Sequence, residues 1–213
     1  MPAVPFKPLL VALLVALPLA GLPGLAFAAP KIVVLGDSLS AGFRLPPGAS
    51  FPERLQERLT AEGIAANVVG AGVSGDTSSG GLARLDWSVP EDADAVIVEL
   101  GGNDALRGLP PETTRANIDA IVARLKQRGD EVLLAGMLAP PNMGADYQQR
   151  FDPIFREVAA ARDAEFYPFF LDGVAAEAAL NLEDGIHPNA EGIDVIVERI
   201  LPSVKALIAR VGR

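Results

Sequence analysis

The run Asn67 to Asp76, NVVGAGVSGD, admits two readings, and each builds a different protein around it. Gly70, Gly72 and Gly75 spell G-x-G-x-x-G directly after a Val-rich segment, the spacing of a dinucleotide-binding loop. Glu99, at the end of the next apolar run, even stands at a distance suited to a ribose-binding acid. Such a fingerprint normally follows the first strand of its unit, whereas here a strand-like run and an amphipathic run come before it. In the other reading the glycines let the backbone pass close to a reacting carbon, so that its N–H groups stabilise an oxyanion.

On either side of this run, short apolar segments alternate with amphipathic ones. Lys31 to Leu35, the IAANVVG run, ADAVIVELGG, EVLLAGM and AEFYPFF read as strands. Between them, Ser50 to Glu62 and Ser79 to Trp87 read as helices. So do Pro111 to Arg128, Tyr147 to Arg162 with a break near Pro153, and Pro188 to about Ala209. Pro111 suits a first turn, Ile118, Ile121, Val122 and Leu125 share one face, and Gly129 stops the helix. Strands alternating with helices predict a three-layer α/β/α sandwich on a five-stranded parallel sheet, with the flavodoxin-like order 2-1-3-4-5.

The chain has 213 residues, half of them apolar, which suits one domain with a sizeable core. Its first residues read differently. Lys7 is followed by an apolar run from Leu9 to about Leu22 and by Ala26-Phe27-Ala28, a small-x-small pattern. This predicts a secretory signal peptide over 1–28, cut after Ala28, and a single domain over 29–213. Pro18 and Pro23 interrupt the run, which argues against a retained membrane span. Loss of Lys7 moves the formal charge from −9 to −10. Such an acidic, exported chain is a poor binder of nucleic acid, and its expected location is periplasmic or secreted. With no Cys it forms no disulfide, and with one His it is a poor host for zinc.

Four short motifs fall at expected strand ends: Gly36-Asp37-Ser38-Leu39-Ser40, Val73-Ser74-Gly75-Asp76, Gly101-Gly102-Asn103-Asp104 and Asp184-Gly185-Ile186-His187-Pro188-Asn189. In a parallel sheet all carboxyl ends share one edge, where ligands bind. Ser38 at a strand-to-helix turn is a candidate nucleophile that needs a base. His187 is the only imidazole in the chain. Asp184, three residues earlier, can fold back to hold its tautomer. The N–H groups of Ser38 and Gly75 and the Asn103 carboxamide make a candidate oxyanion hole. Asp37, Asp76 and Asp104 read as turn and cap residues.

GDSLSAGF, SGDTS, GGND and DGIHPN resemble the four blocks of the SGNH (GDSL) hydrolases. The resemblance is closest to the subgroup of bacterial periplasmic thioesterase/protease/lysophospholipases and arylesterases. It runs from about Lys31 to Ala209. It implies Ser38, Asp184 and His187 as the triad, and Ser38, Gly75 and Asn103 as oxyanion donors. It also implies a mobile loop at Ala105 to Pro110, whose Leu106 and Leu109 contact an acyl chain. The expected activity is hydrolysis of carboxylic esters or thioesters of acyl chains through an acyl-enzyme, by a monomer, without metal or cofactor. Substrate preference is expected to lie in the loop Ala139 to Tyr147. Two other readings stand beside it: a dinucleotide-binding oxidoreductase built on Gly70 to Gly75, which leaves the other three motifs without a task, and a non-catalytic lipid or glycan-ester binder, which an intact Ser38, Asp184 and His187 set argues against.

Overall fold

The computed structural model describes residues 29–212 together with Met1. The expected signal peptide, apart from Met1, lies outside the described residues. Among them no helix is long and apolar enough to cross a membrane.

Five strands form one parallel sheet: β1 (Lys31–Gly36), β2 (Asn67–Gly72), β3 (Ala95–Glu99), β4 (Glu131–Ala135) and β5 (Glu165–Tyr167), in the order 2-1-3-4-5. This is the expected architecture and order. The central strand β3, AVIVE, is buried along its whole length, as a strand covered on both faces must be. Truncating a side chain such as Ile97 to Ala there would cost about 2–5 kcal/mol.

Helices follow the strands as α1 (Ser38–Ala41), α2 (Phe51–Ala61), α3 (Ser78–Ala83), α4 (Leu85–Ser88), α5 (Gly102–Leu106), α6 (Pro111–Arg128), α7 (Ala145–Phe151), α8 (Ile154–Ala161) and α9 (Ala190–Ile208). α2 packs with α9, while α3 and α8 pack with α6, which gives the two helical layers. In α6 the expected stripe Ile118, Ile121, Val122 and Leu125 is buried, and Gly129 caps the end at φ 92°. The segment read as one helix from Tyr147 is two, α7 and α8, because Pro153 cannot supply an N–H to continue the first. Likewise the Ser79 to Trp87 segment divides into α3 and α4 at Arg84.

The register decides where chemistry can happen. Gly36 pairs with Gly72 on one side and with Glu99 on the other, Glu99 with Ala135, and Ala135 with Tyr167. All five strands therefore end in one row, and the loops that leave them line a single edge. The opening motif straddles this row. Gly70 and Gly72 lie inside β2, not in a loop, and only Gly75 lies beyond the strand. A Cβ on Gly72 would meet the Ala41 nitrogen at 2.7 Å and the Asp37 carbonyl oxygen at 2.9 Å, so this glycine lets α1 lie against β2.

Candidate active site

The turn from β1 into α1 carries Asp37 and Ser38. Asp37 stays outside the helix, at φ −110°, and its Oδ1 accepts the Leu39 N–H at 3.0 Å. This caps α1 and sets the backbone at Ser38. The Ser38 residue is only 8% exposed, and its Oγ stands 2.9 Å from Nε2 of His187, a residue 149 positions away. On the far side of the ring, Nδ1 lies 2.8 Å from Asp184 Oδ2.

The three-residue spacing of Asp184 and His187 works through a local turn. Asp184 Oδ1 accepts the backbone N–H of Ile186 at 2.9 Å and that of His187 at 3.0 Å. These bonds, the one from His187 foremost, hold the Asp184 carboxyl down from 3.8 to about 2. The loop is pinned on both sides. Leu182 N–H donates to the His187 carbonyl at 2.7 Å, and Asn189 caps α9 by accepting the Gly192 N–H at 2.9 Å. An ionised Asp184 favours a proton on Nδ1, which leaves Nε2 free to accept from the Ser38 hydroxyl. The three groups thus form a line of two hydrogen bonds.

Gly75 sits at φ 84°, a conformation that side chains disfavour, in the loop after β2. Arg84 ties this loop to the sheet: Nε donates to Asp76 Oδ2 at 2.6 Å, Nη1 to the Ala71 carbonyl at 2.7 Å and Nη2 to the Gly36 carbonyl at 2.8 Å. Arg107 Nη2 donates to the Gly75 carbonyl at 2.6 Å from the other side. Among the described residues no protein acceptor takes the N–H of Ser38 or of Gly75. Asn103, in the first turn of α5, donates from Nδ2 to Asp37 Oδ2 at 2.8 Å. Asp104 holds the neighbouring turn, accepting the Ser78 N–H at 2.8 Å and the Thr114 hydroxyl at 3.1 Å. Asp37, Asp76 and Asp104 are thus occupied as caps and ties, as expected.

Leu106 is 49% exposed at the end of α5, while Leu109 is partly buried and its carbonyl accepts the Tyr147 O–H at 2.8 Å. Val73, Leu138 and Ile186 are also large exposed apolar side chains, each on a loop of the same edge.

Sequence reasoning missed three contributors to this site, Arg84, Arg107 and Phe43, and gave Glu99 a task only in the dinucleotide reading. Phe43 packs against the His187 ring, with centroids 4.5 Å apart. Nothing local marks Phe43, Arg84 or Arg107, because their partners are distant in sequence. Glu99 did carry a signal, a lone acid at the end of an otherwise apolar strand. The dinucleotide reading made it a ribose ligand, but it is fully buried against Asp37 and faces no ligand-sized space. Among the described residues no three His or acidic side chains gather as a metal site.

Residues 34–195 match the model of the GDSL-like lipase/acylhydrolase family. The chain belongs to that family. This GDSL hydrolase is 40% identical over 182 residues to Esterase TesA of Pseudomonas aeruginosa PAO1, an overlap covering 85% of the chain and 90% of that protein. It is 36% identical over 184 residues to Thioesterase 1/protease 1/lysophospholipase L1 of Escherichia coli K12, covering 86% and 87% respectively. Its fold superposes on the crystal structure of AlinE4, an SGNH-hydrolase family esterase, with a TM-score of 0.71 and 43% identity, covering 84% of this chain and 97% of that one. The GDSL hydrolase described here is accordingly a serine ester hydrolase, as the sequence motifs led us to expect.

Proposed function

We propose that Ser38 is the nucleophile of this hydrolase, His187 its general base and Asp184 the group that orients the base. The observation that carries this reading is the unbroken hydrogen-bonded line from Ser38 Oγ through both ring nitrogens of His187 to Asp184. Ser38 Oγ attacks the acyl carbonyl carbon while its proton passes to Nε2. The carbonyl oxygen gains the negative charge and is met by the N–H groups of Ser38 and Gly75 and by the second N–H of Asn103 Nδ2. The tetrahedral intermediate collapses, the imidazolium protonates the departing alcohol or thiol, and Ser38 is left acylated. Water, deprotonated by the same base, then releases the acid. No step calls for a cofactor. Losing one oxyanion donor would cost about 2.7–4 kcal/mol of barrier.

The preferred substrates are esters or thioesters with a flexible acyl chain: lysophospholipids, aryl esters and acyl thioesters. Leu106 and Leu109 contact the chain, and the exposed Val73, Leu138 and Ile186 extend an apolar rim around it. The protein is exported after cleavage at Ala28 and acts as a monomer in the periplasm or outside the cell. For such an enzyme lipid and aryl esters are more accessible than intracellular thioesters.

The test is Ser38→Ala in the purified enzyme. Turnover of p-nitrophenyl butyrate should vanish, along with labelling by a fluorophosphonate probe, while the circular dichroism spectrum stays that of the wild type. Turnover at the wild-type rate would end the serine mechanism. Mass spectrometry of the secreted protein should find Ala29 at its N-terminus.

A further inference from the structure

Glu99 is fully enclosed, and the mechanism just described gives it no task. It ends β3 beside Gly36, and a Cβ on that glycine would stand only 2.5 Å from Glu99 Oε2. The acid is therefore packed directly beneath the backbone that leads into the nucleophile. Its Oε2 accepts the Asp37 N–H at 3.2 Å, Ser40 lies against the same carboxyl, and among the described residues its Oε1 has no hydrogen-bond partner.

Asp37 in turn spends both carboxylate oxygens. Oδ1 holds the Leu39 N–H and Oδ2 the Asn103 amide. An ionised carboxylate can only accept hydrogen bonds. It therefore selects the NH2 side of the Asn103 carboxamide, takes one N–H and leaves the other for the oxyanion. A carboxamide turned the other way would present its oxygen to the forming negative charge.

We propose that Glu99 is a positioning residue of the oxyanion hole: its carboxyl anchors the Asp37 backbone, and the Asp37 carboxylate fixes the face that Asn103 offers to substrate. The proposal rests on the reading of Ser38 and Asn103 given above. The electrostatics agree with it. Burial pushes Glu99 well above the usual carboxylate range, aided by the neighbouring Asp37 charge. Burial also raises Asp37, to about 6, against the lowering effect of the Leu39 and Asn103 hydrogen bonds and of His187, with Asp76 adding a small push upward. Burial thus favours the protonated form of Glu99, while the hydrogen bonds from Leu39 and Asn103 favour the ionised form of Asp37. A neutral acid supplies the acceptor that Asp37 needs without a second charge.

The experiment measures kcat and KM for p-nitrophenyl butyrate in the full enzyme and three variants. Glu99→Ala should lower kcat at least about tenfold with KM within about twofold, since the lost alignment acts in the transition state. Glu99→Gln keeps a carbonyl acceptor and should recover kcat to within about threefold of the wild type. Asp37→Asn cannot accept from both Leu39 and Asn103, so its kcat should fall about a hundredfold. A folded Glu99→Ala enzyme with wild-type kcat overturns the proposal, as does a Gln variant as slow as the Ala variant. Should Glu99→Ala not fold, Asp37→Asn decides, and wild-type kcat there overturns it. Ser38→Ala separates the two layers. If that variant is inactive while Glu99→Ala is unaffected, only the positioning role is lost; if it stays active, the serine mechanism itself is.

Discussion

The Phe43 ring lies 4.5 Å from the His187 imidazole at an interplanar angle of 37°, and the Arg44 guanidinium sits 5.0 Å from the same ring. One face of the imidazole is thus covered by an aromatic surface. In the proposed mechanism that surface limits rotation of the His187 ring and attracts the imidazolium formed when Ser38 gives up its proton. Phe43→Leu keeps apolar bulk but loses the π face, so kcat should fall about three- to tenfold with little change in KM. Steady-state kinetics on p-nitrophenyl butyrate decide this, and an unchanged kcat would leave Phe43 as packing alone.

Asp184→Asn should cost far more. The Asn amide can cap the Ile186 and His187 N–H groups with its oxygen, but it then turns a donor toward Nδ1 and disfavours the working tautomer. The expected loss in kcat is on the order of 10³–10⁴-fold with the fold retained. The wild-type carboxyl, held at about 2 from an ordinary 3.8, stays ionised throughout the mild acid range. Because its folded value is depressed, the stability it contributes is present above the ordinary value and is lost only as pH falls through about 2. A fall in activity between pH 7 and pH 5 therefore belongs to groups other than Asp184.

Arg107 links the loop after α5 to the loop after β2 by its 2.6 Å bond to the Gly75 carbonyl. The residue is exposed, so its removal should alter stability by less than about 0.5 kcal/mol. Its effect should be on the Gly75 amide, whose aim depends on a glycine at φ 84° with few other ties. Arg107→Ala should lower kcat about two- to fivefold at an unchanged melting temperature. A drop in melting temperature of several degrees with unchanged kcat would reverse the assignment.

Most of the fold was legible because alternation of apolar strands with amphipathic helices leaves few arrangements. The buried β3 run AVIVE and the α6 stripe from Ile118 to Leu125 could be read residue by residue. The proposed set of Ser38, Asp184, His187, Gly75 and Asn103 could be drawn from sequence because each stands in a short motif at a strand end, and a parallel sheet sends all such ends to one edge. Arg84, Arg107 and Phe43 could not, since their value lies in contacts with distant residues that no local pattern encodes. Glu99 was seen, but only the dinucleotide reading gave it a task. Its spacing from Gly75 matched a cofactor fold, while the deciding fact, its burial against Asp37, belongs to strand pairing.

That burial has a consequence for stability that can be measured apart from activity. Burial, with the Asp37 charge as a further cause, raises Glu99 well above its ordinary value of 4.5. An acid whose folded value is raised favours the fold fully below its unfolded value, and that contribution drains away as pH climbs toward the folded value. The slope is about 1.4 kcal/mol per pH unit within this window, since one proton separates the two states. Glutamine has the same shape and no proton to release. The melting temperature of Glu99→Gln should therefore gain on that of the wild type as pH climbs from 4.5 toward the raised folded value. Asp37, raised to about 6, contributes the same sign in both proteins up to that pH and largely cancels in the difference. Thermal melts at four or five pH values suffice. A constant gap between the two proteins would mean that Glu99 is ionised in the fold, and the buried pair would then carry two charges instead of one.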